Sequence, residues 1–377
     1  MSFHYLDNSA TTKVCKEAAE KALYYMTEKF GNPSSLHTMG FEAKCVLDEA
    51  RETIAKSIGS ASEEIIFTSG GTESNNLAII GAVKAKRRLG NKIITSAIEH
   101  PAVLEVMKNL EKNGMEVVYL SPNEQGIIEP KQIEKAVDDK TILISMMLVN
   151  NETGMILPVQ ALRKIAAKKK SPALIHTDAV QGYLKMPFTV KKLGVDLLTI
   201  SGHKAHAPKG VGALYISKQS RIQPILHGGG QEKGIRNGTE ALPLIAAFAE
   251  AVKQTGSIRE NHEKAESLNK YLREKLNAIP QIVLNSPQDG LPYILNLSTQ
   301  KVRSETMLHF LADKNVFVSS GSACARGKLS HVLTEFGYDK RRINTAIRVS
   351  FSKENTEKDV DAFVRGLMEG MGTLASE

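Results

Sequence analysis

A lysine lies between an apolar, strand-like run and a rigid turn, where it could form a Schiff base with a carbonyl compound. The run ends at Ile200, Ser201, His203 and Lys204 follow, and Pro208 precedes a second apolar run. A lysine amine is nucleophilic only when it is neutral, and a fixed, partly desolvated position favours that form. Taken alone, the segment favours an ordinary hairpin with a solvated lysine, which is far commoner.

The elements that must position this lysine alternate between strand and helix. Apolar patterning predicts strands at 64–68, 92–95, 116–120, 141–149 and 173–176, and helices at 73–88, 101–113, 129–137 and 159–170. This order predicts an α/β fold with a mostly parallel sheet covered on both faces. A charged amphipathic helix at about 254–276 leads to an α+β pattern. We therefore expect a large domain over 15–255 and a small domain formed by 1–14 and 256–377.

Composition narrows the class of protein. The 377 residues include 42% hydrophobic and 24% charged residues, near globular averages, and no apolar run is long enough to span a bilayer. The first residues lack the pattern of a signal peptide, so we expect a cytoplasmic protein without a membrane partner. The net charge of +8 is dispersed, so nucleic acid is expected to be an indirect partner at most. The cysteines Cys15, Cys45 and Cys324 have no metal-ligand spacing, and no metal site is expected.

Further polar residues follow other predicted strands. Ser69-Gly-Gly-Thr72 joins a strand to a helix, where glycines and free N–H groups suit a phosphate, although an ordinary capped turn fits equally. His100, Asn151, Asp178 and Gln181 also lie just past strands, and ligands of open α/β sheets bind at that edge. Each residue alone has a structural alternative. Together with Lys204 they offer the phosphate site, acid or base, carboxylate and lysine that pyridoxal phosphate requires.

Cys324 lies among small residues and is followed by Arg326 and Lys328. Two cations lower the pKa of a thiol and raise its thiolate fraction, which favours a reactive cysteine over a chance loop cysteine. Cys15 and Cys45 lie in helix-like segments and are predicted to be buried filler.

In these motifs the chain resembles the fold-type I, class V pyridoxal phosphate enzymes, and within them the NifS/IscS-type cysteine desulfurases. The resemblance covers nearly the whole length and depends on motifs in the same order: Leu6-Asp-Asn-Ser-Ala-Thr-Thr12, Gly31-Asn-Pro-Ser-Ser35, Phe67-Thr-Ser-Gly-Gly-Thr-Glu-Ser-Asn-Asn76, Glu99-His100, Val149-Asn-Asn-Glu152, Asp178-Ala-Val-Gln181, Ser201-Gly-His-Lys204, His227-Gly-Gly-Gly-Gln-Glu232, Arg236-Asn-Gly-Thr239 and Ser319-Ser-Gly-Ser-Ala-Cys324. It implies a large domain with a mostly parallel, seven-stranded-type sheet and a smaller α+β domain that carries the cysteine loop.

The resemblance also implies a role for each site residue. Lys204 would bind the cofactor covalently, His100 would stack on its ring and shuttle protons, Asp178 would pair with the ring nitrogen, and Gln181 with the ring hydroxyl. The phosphate would be bound by Gly71, Thr72, Ser201 and His203, and by Thr239 of the neighbouring subunit in a homodimer. The substrate would contact Asn32, Asn151 and Arg348, of which Arg348 would hold its carboxylate.

The implied reaction converts L-cysteine to L-alanine and leaves a persulfide on Cys324 for transfer to an acceptor protein, which could serve iron–sulfur cluster assembly or thiolation of tRNA or cofactors. Three alternatives stay open at this point. Within the same fold they are a selenocysteine lyase and a cysteine-sulfinate desulfinase, which can release product without the enzyme thiol. The third is a non-catalytic scaffold for sulfur trafficking.

Overall fold

A computed structural model describes residues 3–123, 126–321 and 329–375 of the chain. The helices in these ranges are α1 Lys16–Thr27, α2 Thr38–Ile58, α3 Gly71–Lys86, α4 Pro101–Lys112, α5 Pro130–Ala136, α6 Val159–Lys168, α7 Val190–Leu193, α8 Leu242–Lys253, α9 Ile258–Asn277, α10 Ser304–Asp313, α11 His331–Glu335, α12 Lys340–Asn344 and α13 Glu357–Thr373. The strands are β1 His4–Tyr5, β2 Ile65–Thr68, β3 Lys92–Ser96, β4 Glu116–Leu120, β5 Thr141–Ser145, β6 Leu174–Asp178, β7 Leu197–Ser201, β8 Gly212–Ile216, β9 Val283–Leu284, β10 Ile294–Ser298, β11 Val316–Phe317 and β12 Ala346–Ser350.

The largest sheet has seven strands in the order β2-β8-β7-β6-β5-β3-β4. Only β8 runs antiparallel to its neighbours; the other pairings are parallel. Strands β5, β6 and β7 are buried at every position, as expected where helices cover both faces of a sheet. The predicted α/β class and mostly parallel sheet are confirmed.

Two smaller sheets lie outside this core. Strands β12, β10 and β9 form an antiparallel sheet, and β1 pairs in parallel with β11. The first residues of the chain thus join strands far along the sequence, as in the isolated bridge between Asp7 and Ser350. The boundaries at residues 14 and 255 stay a prediction.

Element ends differ from the sequence prediction where tertiary contacts decide them. The strand predicted over 141–149 ends at Ser145. Met146 and Leu148 nevertheless donate backbone hydrogen bonds to carbonyls of the neighbouring strand β6. In contrast, β6 continues to Asp178, so this carboxylate is the last residue of a strand. The long helix begins at Ile258, because Gly256 adopts a left-handed conformation with a φ of 71° and the Ser257 hydroxyl caps α9 by accepting from the N–H of Glu260.

The prediction that Cys15 and Cys45 are buried filler was wrong for Cys45, which is exposed on α2. Cys15 is partly buried and is the N-cap residue of α1. In the part of the chain that the structure describes, no helix has both the length and the apolar character needed to cross a membrane.

Candidate active site

The carboxyl ends of β5, β6 and β7 surround a cavity of about 270 Å³. It is the place where polar side chains from separate strand ends meet, as expected for an α/β sheet. Ten of the residues predicted from the sequence line this one cavity: Gly71, Thr72, His100, Asn151, Asp178, Gln181, Ser201, His203, Lys204 and Arg348.

Lys204 ends a short 3₁₀ turn, Gly202–Lys204, directly after β7. Its ammonium nitrogen donates hydrogen bonds to the backbone carbonyls of Ser9 and Ala10, the latter at 2.7 Å. The N-terminal segment, which is remote in sequence, therefore holds this side chain at the cavity wall. The lysine is not the solvated hairpin residue that its own segment favours.

The turn before α3 has the shape of an anion cradle. Gly70 adopts a φ of 148°, which excludes other residues, and a Cβ on Gly212 of β8 would come within 2.7 Å of the Gly70 Cα. Both glycines thus permit the close approach that places the start of α3 beside Ser201. The first N–H groups of a helix have no partner within the helix, so Gly71 and Thr72 present donors and positive potential to the cavity.

The Asp178 carboxylate is buried and is held on both oxygens. Oδ2 accepts from Nδ2 of Asn75 at 2.7 Å, and Oδ1 accepts from the backbone N–H of Val180 at 2.9 Å. Asn75 lies on the buried face of α3, one turn after the phosphate turn. These donors fix the carboxylate at the cavity, where it can pair with a cationic ring nitrogen.

His100 caps α4, and its Nδ1 accepts from the backbone N–H of Ala102 at 3.1 Å. Burial lowers the pKa of His100, although the nearby Asp178 opposes this shift. The neutral ring must therefore carry its proton on Nε2.

Glu99, which precedes His100 in the chain, is fully buried, and burial raises the pKa of its carboxyl to about 8. Glu99 Oε1 accepts from the Ser96 hydroxyl at 2.5 Å and the Met147 N–H at 2.8 Å.

Gln181 and His203 also line the cavity, together with Lys204. Gln181 donates through Nε2 to the carbonyl of Ser9 at 3.0 Å. His203 Nδ1 lies 3.3 Å from the Thr11 hydroxyl, and burial, aided by the charge of Lys204, lowers the pKa of His203 to about 4. His203 is therefore neutral at pH 7 and can serve a phosphate as a hydrogen-bond donor but not as a cation.

Arg348 brings the antiparallel sheet of β12 to the cavity. It donates from Nη1 to the carbonyl of Asn151 at 2.8 Å and from Nη2 to Asp7 at 2.9 Å. Burial raises the pKa of Asp7, and the Arg348 guanidinium opposes this shift. The guanidinium is thus fixed in place, and its buried Nε has no hydrogen-bond partner.

Two predicted residues do not line this cavity. Asn32 is exposed, and its Oδ1 accepts from the N–H of Ser34. Thr239 is also exposed, beyond the loop in which Arg236 pairs with Glu73 at 2.7 Å. One chain alone therefore does not bring either residue to its own site.

The predicted nucleophile Cys324 lies outside the described residues. The chain on either side of it is described and adjoins the cavity. Ser319 exchanges backbone hydrogen bonds with Arg348, and the Ser330 hydroxyl donates to Oε2 of Glu152 at 2.5 Å. Glu152 follows Asn151 directly, and burial raises the pKa of its carboxyl.

Comparison with known proteins identifies the family of this chain. The family described as aminotransferase class-V matches residues 4–363. The chain belongs to the aminotransferase class-V family. It is 44% identical over 361 residues to the cysteine desulfurase IscS of Methanosarcina thermophila, covering 95% of this chain and 89% of that protein.

Solved structures agree with this family. A NifS-like protein superposes with a TM-score of 0.93 at 38% identity, covering 99% of this chain and all of the other. SspA in complex with cysteine superposes with a TM-score of 0.83 at 34% identity, covering 94% and 100% of the two chains. The resemblance to the NifS/IscS-type desulfurases is therefore confirmed.

Class-V enzymes depend in general on pyridoxal phosphate, and several features of this cavity fit that group. Within the described residues, three buried polar atoms at the cavity have no hydrogen-bond partner: Ser9 Oγ, Asn75 Oδ1 and Arg348 Nε. Buried polar atoms are nearly always paired, so this cavity is built for a polar ligand. A helix N-terminus, a carboxylate and a lysine on its wall fit the phosphate, the ring nitrogen and the aldehyde of that cofactor.

Sequence reasoning gave no role to several residues that build the candidate site. Ser9 and Ala10 supply the carbonyls that hold Lys204, and Asn75 holds Asp178. Asn75 had a signal, since it is a polar residue on the buried face of a helix.

Proposed function

We propose that this protein is a pyridoxal phosphate-dependent cysteine desulfurase. The observation that carries the proposal is the convergence of Lys204, Asp178, His100 and the Gly71–Thr72 turn on one cavity of about 270 Å³. The named activity of the IscS relative and the bound cysteine in the SspA complex support the same reaction class.

Each part of the cofactor has a candidate partner in this chain. The N–H groups at the start of α3, with Ser201 and His203, would bind the phosphate. Asp178 would pair with the ring nitrogen, His100 would lie against the ring, and Gln181 would donate to the ring hydroxyl. Pyridoxal phosphate, when bound, withdraws electrons from the substrate Cα and so permits loss of its proton.

The chain's own residues would bind the substrate and move its protons. Arg348 would hold the carboxylate of L-cysteine, because it lines the cavity with its Nε unpaired while Asp7 and the Asn151 carbonyl fix the guanidinium. Asn151 itself lines the cavity beside it. Lys204 would take the Cα proton of the substrate at Nζ, and the neutral His100 would exchange a proton through Nε2.

Cys324 would receive the sulfur. Its thiolate would attack the substrate sulfur, forming the S–S bond as the Cβ–S bond breaks. The electron pair of the broken bond stays on Cβ, which is then protonated to the methyl group of L-alanine. The positions of Ser319 and Ser330 support this role, since both ends of the intervening segment adjoin Arg348 and Glu152.

Two partners belong to the proposal. A second copy of the chain would supply Thr239, which is exposed here, to the phosphate of the neighbouring site in a homodimer. Exposed apolar side chains near the start of the chain would be covered in such a dimer, among them Leu23, Phe30, Leu36 and Phe41. A thiol of an acceptor protein would take the sulfur from the Cys324 persulfide in the cytoplasm, where thiols stay reduced.

The test loads the purified protein with pyridoxal phosphate and measures alanine release from L-cysteine. Cys324→Ser should abolish desulfuration, and Cys45→Ser, which changes an exposed cysteine on α2, should not. Lys204→Ala should remove the visible absorbance band of the bound cofactor. Full turnover by Cys324→Ser would favour a lyase that needs no enzyme thiol, and a colourless wild type would favour a scaffold.

A further inference from the structure

A second lysine, Lys185, is buried behind the cavity. It is 6% exposed, and its ammonium donates to Oε1 of Gln181 at 3.2 Å. Lys185 and Lys204 both line a separate small cavity of about 30 Å³, and Lys204 also lines the main cavity. Lysines are almost never buried without a specific partner, so this placement calls for a reason.

A chain of hydrogen bonds joins the two lysines. Lys185 donates to Gln181 Oε1, and Gln181 Nε2 donates to the carbonyl of Ser9. The same Ser9 carbonyl accepts from Lys204. Because Lys185 engages the oxygen of the amide, its NH₂ end is directed toward Ser9, a residue of the main cavity wall. Gln181 thus offers a donor at that wall.

The backbone around Lys185 is fixed by hydrogen bonds and includes one strained residue. Leu184, directly before it, adopts a φ of 59°, a strained conformation for a residue with a Cβ. The Lys185 N–H donates to the carbonyl of Gly182 at 3.1 Å, and the Lys185 carbonyl lies 2.8 Å from Nδ1 of His262 on α9. Burial, with the charges of Lys204 and Arg348, lowers the pKa of Lys185 to about 7. Strain and a buried amine both reduce stability, which points to a role in function.

We propose that Lys185 is a positioning residue for the cofactor site: it orients the amide of Gln181 so that this side chain donates to an oxygen of the bound cofactor. This inference rests on the proposed function, since it presupposes that pyridoxal phosphate occupies the cavity. Lys185 acts through Gln181 and does not itself touch the ligand. Both its neutral and its charged form can donate this hydrogen bond.

The test measures binding of pyridoxal phosphate to cofactor-free protein by its visible absorbance. Lys185→Met keeps the length of the apolar part of the side chain and removes its donor, and we expect affinity for pyridoxal phosphate to be about five-fold weaker. The apparent pKa of the absorbance band should also rise by about one unit, because a donor to the ring oxygen and a nearby cation are lost together. Besides Lys185, the charged or titratable groups nearby are Lys204, Arg348, His203, His206, His262, Lys353, Cys15, Tyr183 and Tyr293. Lys191→Met, an exposed lysine of α7, is the matched control and should change neither quantity.

A double-mutant cycle decides whether Lys185 acts through Gln181. In a Gln181→Leu background, Lys185→Met should cause no further loss of affinity. If the losses of affinity caused by Gln181→Leu and Lys185→Met multiply in the double variant, the inference is wrong. It is also wrong if Lys185→Met leaves both the affinity and the band unchanged. In either case a visible band in the wild type still supports the proposed function. A wild type that forms no band would instead refute the proposed function. If Lys185→Met does not fold, Lys185→Leu, which also lacks a donor, replaces it in the same cycle with the same expected and contrary results.

Discussion

Asn75 donates a 2.7 Å hydrogen bond to Asp178, and this contact joins the helix of the phosphate turn to the last residue of β6. The two residues are 103 positions apart in the chain. The proposed phosphate site and the proposed partner of the ring nitrogen are therefore fixed relative to each other by one amide.

Asn75→Ala should weaken binding of pyridoxal phosphate by about five- to ten-fold, because Asp178 loses a buried donor that holds its carboxylate. An absorbance titration of cofactor-free protein measures the change. Asn109→Ala, on the exposed face of α4, is the matched control. An affinity equal to that of the wild type would show that Val180 alone is enough to hold the carboxylate.

Arg348→Lys should raise the KM for L-cysteine by about ten-fold or more and leave cofactor binding nearly unchanged. A lysine cannot reproduce the planar fork that contacts Asp7 and the Asn151 carbonyl and that would also contact the substrate carboxylate. Steady-state kinetics and a cofactor titration separate the two effects. Arg341→Lys, exposed on α12, should match the wild type, and an unchanged KM for Arg348→Lys would contradict the assigned role.

Glu99→Gln should stabilise the protein at alkaline pH. Burial raises the pKa of Glu99 from an ordinary 4.5 to about 8, so between these values the native state holds a proton that the unfolded state has released. Its contribution to stability is fully present below pH 4.5 and is lost as the pH rises through 8. Thermal unfolding of the variant should match the wild type at pH 4.5 and occur about 2–4 °C higher at pH 9. A lower unfolding temperature for the variant than for the wild type at pH 9 would show that Glu99 stabilises the protein as an anion.

Lys185→Met should stabilise the cofactor-free protein at acid pH. The pKa of Lys185 falls from 10.5 to about 7 on folding, so below pH 7 the native state carries a buried charge. Between pH 7 and 10.5 the unfolded state binds more protons, and wild-type stability rises with pH. The Tm of the variant should exceed that of the wild type by about 2–4 °C at pH 6 and lose this advantage by pH 10. A constant difference across that range would mean that the amine does not titrate in the native state.

Much of the site was predictable because its residues follow strands. Strands that run parallel in one sheet end at the same edge, so Thr72, His100, Asp178 and Lys204 could be expected together before any contact was known. Lys185 could not be expected there. Its partner Gln181 is near in sequence, but its burial depends on packing against distant segments.

The sequence by itself determined the α/β class, the mostly parallel sheet and the family, because apolar periodicity and local motifs depend on neighbouring residues. Tertiary structure alone decided how Lys204 is held, since its acceptors Ser9 and Ala10 lie almost 200 residues earlier in the chain. It also decided that Arg348 reaches the cavity while Asn32 and Thr239 of the same chain do not. Contacts between segments so far apart depend on how whole elements pack, and no local pattern of residues records that packing.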